Sequence, residues 1–99
     1  MPAYIVALCE VTNPNDNFKK YSAESARLSK QHGGKYTIRG KSSDVMDGEY
    51  FEKNAVVITE FPTMEALLGF YNNPEYQNEI KPLREGTGNY EIAFFESPE

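Results

Sequence analysis

Arg39 heads the residues whose type and position could carry chemistry. It stands near the end of the run Lys35 to Gly40, KYTIRG, where a guanidinium fork could hold a carboxylate or enolate oxygen through paired N–H donors. The ordinary alternative is an ion pair with Glu10. His32 is the single histidine and so the one side chain that ordinarily titrates near neutrality, the property a general base requires. Its place just before Gly33-Gly34 equally suits the capping of carbonyls at a helix C-terminus. Glu60, in the run TEFP, is a second candidate for proton transfer if it faces a cleft, and otherwise an edge carboxylate paired with Lys35. Tyr4, Tyr36, Tyr71 and Tyr76 could line an apolar pocket with polar tips, which suits an aromatic or quinone-like ligand. Cys9 sits inside an apolar run with no base beside it, which reads as a small buried hydrophobe rather than a nucleophile.

Other chemistries are excluded by what the residues do not form. One His and one Cys cannot close a metal-ligand set, and no metal site or cofactor is expected. Phosphate-cradling glycine loops and a nucleophile elbow are missing from the sequence. A formal net charge of −5 repels a phosphate backbone or an anionic lipid surface, so neither nucleic acid nor membrane is expected as a partner. A lone cysteine cannot form an internal disulfide, and the apolar stretch before Glu10 is too short for a signal peptide or a span. Both readings point to a cytoplasmic protein.

These residues must be positioned by a single domain, 1–99, of a size near the lower end of what buries a core unaided. Seven Tyr and six Phe supply large rings for that core. Ala3 to Val11 reads as a first strand, with Tyr4, Val6 and Leu8 on one face and Ile5, Ala7, Cys9 and Val11 on the other. Asn13 and Pro14 open a helix running to about His32, with a stripe of Phe18, Tyr21, Ser25 and Leu28. In the second strand, Lys35 to Gly40, simple alternation puts Tyr36 and Ile38 opposite Lys35, Thr37 and Arg39. Asp47-Gly48 between Val45-Met46 and Tyr50-Phe51 predicts a projecting hairpin arm over 41–53.

The clearest grammar lies in Asn54 to Tyr76. Ala55 to Phe61 is a strand closed by Pro62, and Thr63 caps a helix carrying Met64, Leu67, Leu68 and Tyr71. Asn73 starts a second helical piece that Pro82 should end or kink. Asn89 to Glu96 forms the last strand, Tyr90, Ile92 and Phe94 facing one way and Glu91, Ala93 and Phe95 the other.

The order β-α-β-β-α-β folds most simply into an α+β, ferredoxin-like antiparallel sheet with its helices on one face. Strands of this composition are apolar on both faces, and an uncovered face would exceed the roughly 300–600 Å² of a typical largest surface patch. A homodimer packed sheet on sheet is therefore expected.

Four segments taken together, GGKYTIRG at Gly33 to Gly40, Gly48, VVITEFPTMEAL at Val56 to Leu67 and YNNPEYQ at Tyr71 to Gln77, resemble a family, domain of unknown function 1330, in the dimeric α+β barrel superfamily. The resemblance spans nearly the whole chain. It implies the same fold and dimer but no settled activity, because the superfamily includes cofactor-independent monooxygenases, isomerases, haem-handling proteins and stress-related binding modules. Two positions depart from the pattern: Lys41 stands where a second glycine is usual, and Pro82 interrupts the piece leading to Arg84. Three functions follow as expectations. The first is a small-molecule-binding dimer, with an organic acid or aromatic ligand held between sheet and helices by Arg39, Tyr4, Tyr36 and Tyr71. The second is a cofactor-independent isomerase or monooxygenase using His32 or Glu60. The third is a structural or protein-interaction dimer docking a partner on the 41–53 arm.

Overall fold

The computed structural model describes residues 1–98; the last position of the expected domain, Glu99, lies outside them. Four strands, β1 (Ala3–Val11), β2 (Lys35–Gly40), β3 (Ala55–Phe61) and β4 (Gly88–Glu96), form an antiparallel sheet in the order β2-β3-β1-β4. Helices α1 (Asp16–Gln31) and α3 (Met64–Tyr71) cross over between β1 and β2 and between β3 and β4. A single helical turn, α2 (Tyr50–Lys53), precedes β3. This is the α+β, ferredoxin-like arrangement expected from the element order.

Helix α1 starts two residues later than the sequence predicts. The N–H groups of Thr12 and Asn13 are both held by the carbonyl of Thr87 at 2.9 Å, which ties this stretch to the head of β4 and keeps it out of the helix. Asn15 caps instead, its side chain accepting the N–H of Phe18. At the other end Gly33 takes φ +85°, the left-handed stop that glycine supplies. In α3 the expected cap holds, Thr63 accepting from the N–H of Ala66 at 3.1 Å.

Two expectations are corrected. The 41–53 segment forms no hairpin: its only regular piece is α2, with Met46 86 % and Tyr50 68 % exposed. Turn-forming Ser42-Ser43-Asp44 on one side leaves too few paired residues for a ladder. In β2 the pairing with β3 slips between Tyr36 and Ile38, so Tyr36 opposes Thr59 and Arg39 opposes Val57. One extra residue, Thr37, is accommodated as a bulge. Tyr36 and Arg39 consequently share a face, and Ile38 turns to the other.

The core fills one end of the helix-covered face. Phe61 and Leu67 are fully buried, with Ala3, Ile5, Leu28, Phe70, Tyr76 and Ile80 around them. The Phe61 and Phe70 rings stack at 5.7 Å between centroids, and Phe70 meets Tyr76 at 4.9 Å. Gly34 fits only because it lacks a side chain, since a Cβ there would come within 2.8 Å of the Phe61 ring. On the opposite face Tyr4, Val6 and Leu8 lie across from Glu60, Ile58 and Val56, no helix covers them, and Phe95 on the same face is 54 % exposed.

After α3, Asn73 accepts the N–H of Glu75 at 2.9 Å and opens the next helical segment. That segment is a π-helical turn over Tyr76–Ile80 followed by a 3₁₀ turn over Lys81–Arg84. Pro82, lacking an N–H, sits at the start of the tighter turn. The change of pitch carries Arg84 back toward α1.

Candidate ligand cavity

The far half of the covered face is hollow. A cavity of about 290 Å³, at the small end of ligand pockets, lies between the sheet and α1. Its floor is made by inward residues of small or medium size: Ala7 and Cys9 of β1, Ala55 and Val57 of β3, and Ile92 of β4. Its roof is the polar side of the α1 stripe, Tyr21, Ser22 and Ser25. Small floor residues beneath serines leave a volume that Leu67 and Phe70 fill at the other end.

Arg39 and Gly40 stand at the β2 edge of this cavity. The bulge that turns Arg39 inward also sets its guanidinium over the Tyr36 ring, 4.7 Å from the centroid, a cation–π contact that orients the fork while leaving it exposed to solvent. Burial pushes the Tyr36 hydroxyl above its ordinary pKa, with Arg39 acting against that rise. Glu10 accepts from Asn89 at 2.9 Å, and among the described residues the ion pairs centre on Arg27, with Glu24 and Glu75, not on Arg39.

The β4 edge holds a different polar group. Tyr21 and Tyr76 meet hydroxyl to hydroxyl at 3.1 Å, and Arg84 Nη1 donates to the Tyr21 hydroxyl at 3.4 Å. The Arg84 guanidinium lies 5.2 Å from the Tyr90 ring centre and 5.8 Å from that of Tyr21. Tyr90 and Thr87 share a hydrogen bond of 2.6 Å. Burial, with Tyr21 beside it, raises the Tyr76 pKa far beyond the ordinary range of a phenol, so Tyr76 keeps its proton. Burial also raises the Cys9 thiol, against the lowering influence of Arg84, which makes Cys9 a neutral floor residue rather than a thiolate. Among the described residues, Ser25 Oγ is the buried side-chain polar atom without a hydrogen-bond partner.

Of the residues singled out from sequence, Arg39, Tyr36, Tyr71 and Tyr76 line the cavity. Tyr4 does not, because it alternates to the open face with Glu60 and Phe95 as its cross-strand neighbours. Glu60 shares that open face, in register with Lys35. His32 ends α1, its backbone N–H donating to the carbonyl of Ser29 and that of Gly33 to the carbonyl of Lys30, and its ring faces Gly69, outside the cavity. Neither candidate base therefore reaches the cavity. Sequence reasoning gives no site role to Tyr21, Ser25 or Tyr90 and leaves that of Arg84 open at the Pro82 interruption. The stripe that placed Tyr21 and Ser25 on the inner side of α1 was the available signal for those two; Arg84 depends on the π-to-3₁₀ change, which no periodicity announces.

Comparison with known proteins adds a family and a fold. The family described as Domain of unknown function (DUF1330) matches residues 2–98. Among solved structures, the RPA0582 protein of unknown function from Rhodopseudomonas palustris superposes with a TM-score of 0.72 at 18 % identity, covering 99 % of this chain and 83 % of that one. SnoaB, a cofactor-independent oxygenase from Streptomyces nogalater, superposes with a TM-score of 0.66 at 14 % identity, covering 99 % and 94 %. At these identities the likeness is one of fold. No curated protein matches the chain.

Proposed function

The chain belongs to the DUF1330 family, and from that premise we propose that it is a homodimeric small-molecule-binding protein whose cavity takes a small organic acid or aromatic compound anchored by Arg39. The observation that carries this reading is the hollow end of the covered face, about 290 Å³ with an apolar floor and an arginine turned inward at its rim by a bulge. Unfilled volume costs stability, and a hollow of this kind is the feature that a ligand would fill. Tyr36 and Tyr71 add ring faces with polar tips to the lining.

The dimer rests on the open sheet face. Val6, Leu8, Val56, Ile58 and Phe95 form an apolar surface without a helix over it, and a second copy packed face to face is the simplest cover. Analytical ultracentrifugation is expected to give twice the chain mass, and Val6→Lys to give the monomer; a monomer at every concentration contradicts the assembly. We read the protein as cytoplasmic from its single unpaired thiol. Among the described residues no helix is long and apolar enough to cross a membrane.

Thermal shift against carboxylate, phenolic and quinone-like compounds tests the binding reading. A ligand at a hundred times its dissociation constant adds about 2.7 kcal/mol, which raises Tm by many degrees in a domain of this size. The expected result is at least one compound that stabilises the wild type and loses most of its effect on Arg39→Ala. Equal stabilisation of both proteins, or none by any compound, overturns it.

A further inference from the structure

We propose that the β4 edge of the cavity is a binding site for a single anionic oxygen, that of a phenolate, formed by a hydrogen-bond chain that begins on Arg84 and passes through Tyr21 and Tyr76. The inference deepens the ligand-binding reading and rests on it.

The proton count along the chain leads to this assignment. Arg84 donates to the Tyr21 oxygen, and Tyr21 and Tyr76 share one hydrogen bond in which either can be the donor. Two phenolic protons are present and one lies between the two oxygens. The other has no acceptor among the described residues. Whichever oxygen carries it, that oxygen belongs to a residue on the cavity wall. One O–H is therefore available to a ligand, at the end of a chain whose first member is a full positive charge.

The contrast with Tyr90 is informative, because its hydroxyl is already engaged by Thr87. Ser25 is a second, independent pointer. It lies one helical turn beyond Tyr21 on α1, lines the same cavity, and its buried hydroxyl has no partner. Such groups are rare in folded proteins unless a ligand or water completes them.

Arg84 itself is half-buried, and among the described residues its guanidinium is held in no ion pair. Its surroundings are the rings of Tyr21 and Tyr90. A guanidinium offers five N–H donors, of which one side-chain bond, to Tyr21, is used. Its charge reaches the cavity floor, where it works against the effect of burial on Cys9. In a space of low polarity that uncompensated charge favours an anion.

A phenolate fits this end better than a carboxylate does. One spare O–H serves one oxygen, whereas a carboxylate is matched by the forked donors of Arg39 at the other edge. Tyr76 keeps its own proton, so a ligand phenol more acidic than tyrosine is the one to ionise, releasing its proton to the buffer, and Tyr76 or Tyr21 donates to the resulting oxygen. Phe18, Tyr71 and Tyr76 supply ring faces for the aromatic body.

A nitronaphthol, whose neutral and ionised forms differ in visible absorbance, tests the site. Affinity is followed by calorimetry, and the ionisation state of the bound dye by its spectrum, at a pH where the free dye is mostly neutral. Wild type is expected to bind it as the phenolate and release a proton. Tyr76→Phe and Arg84→Met should each bind about tenfold more weakly, the scale of one charge-assisted hydrogen bond, with the bound dye shifted back to the neutral spectrum. Arg84→Lys should restore part of the phenolate band, which a purely structural role for Arg84 would not do. Tyr21→Phe serves in place of any variant whose circular dichroism shows misfolding. Binding with the neutral spectrum, unchanged by these substitutions, overturns the phenolate site and leaves the ligand cavity standing. Absence of any binding by the dye overturns the phenolate site, and the panel result on Arg39→Ala then decides the cavity separately.

Discussion

The covered face of the sheet has two halves built from the same strands. At one end Phe61 and Leu67 are packed with Ala3, and Ile5 and Phe70 stand at the boundary, where they also line the cavity. At the other, Ala7, Cys9 and Ala55 face Ser22 and Ser25 across empty volume. β1 contributes Ala3 to the first and Ala7 to the second, so residue type on the floor does not decide the outcome. What differs is the layer above. α3 is rich in large apolar residues and covers the Phe61 end, whereas the N-terminal half of α1 presents tyrosine and serine to the other. A polar roof over an apolar floor cannot collapse into a core without burying unpaired hydroxyls, and Ser25 already shows that tension. One half is filled by the core and the other is left hollow.

Substitutions that treat the two halves alike should therefore have unlike results. The largest effect is expected at Phe61, fully buried and stacked on Phe70. Phe61→Ala should cost about 3–5 kcal/mol in urea unfolding, the usual range for removing a buried aromatic ring; a cost below about 1 kcal/mol would mean that the packed half is not packed. The sharper comparison adds volume. Ala3→Leu should destabilise by about 1–3 kcal/mol through overpacking. Ala7→Leu should instead be neutral or stabilise, by about 0.5–2 kcal/mol as cavity-filling changes do, while abolishing ligand binding. Equal destabilisation by the two would contradict the distinction between halves.

The smallest effect is one of pH. Burial raises the thiol of Cys9 above its ordinary 9.0 and the hydroxyls of Tyr36 and Tyr76 above 10.0. Since the folded chain holds these protons more tightly than the unfolded one, the three groups cost nothing below about pH 9 and favour unfolding progressively above it. The urea midpoint is expected to fall as pH rises past about 9, and Cys9→Ser to remove the earliest part of that fall. An unchanged midpoint up to pH 11 would show that these groups are not buried from water.

The sequence made the frame legible and left the site only partly so. Ala55 to Phe61, its Pro62 stop and the Thr63 cap are local signals, and each acts within a few residues of itself. Alternation along β1 separates Ile5, Ala7 and Cys9 from Tyr4, Val6 and Leu8 without revealing which set a helix covers, so nothing local distinguishes Tyr4 from the cavity tyrosines. The bulge at Thr37 broke a period-2 count and reversed Arg39, because a register slip depends on the partner strand. The Arg84 chain joins α1 to a segment some sixty residues later through a change of helical pitch. Such a meeting is tertiary and leaves no periodic trace.

The most direct measurement is a titration of alanine-methyl-labelled protein with a hydroxynaphthoate, followed by NMR. Ala7 and Ala55 mark the hollow half, Ala3 the packed half and Ala93 the open face. Saturable shifts at Ala7 and Ala55, with Ala3 and Ala93 unmoved, are the result expected if the cavity is the binding site. Shifts centred on Ala93, or none at Ala7 and Ala55 across the titration, would contradict it.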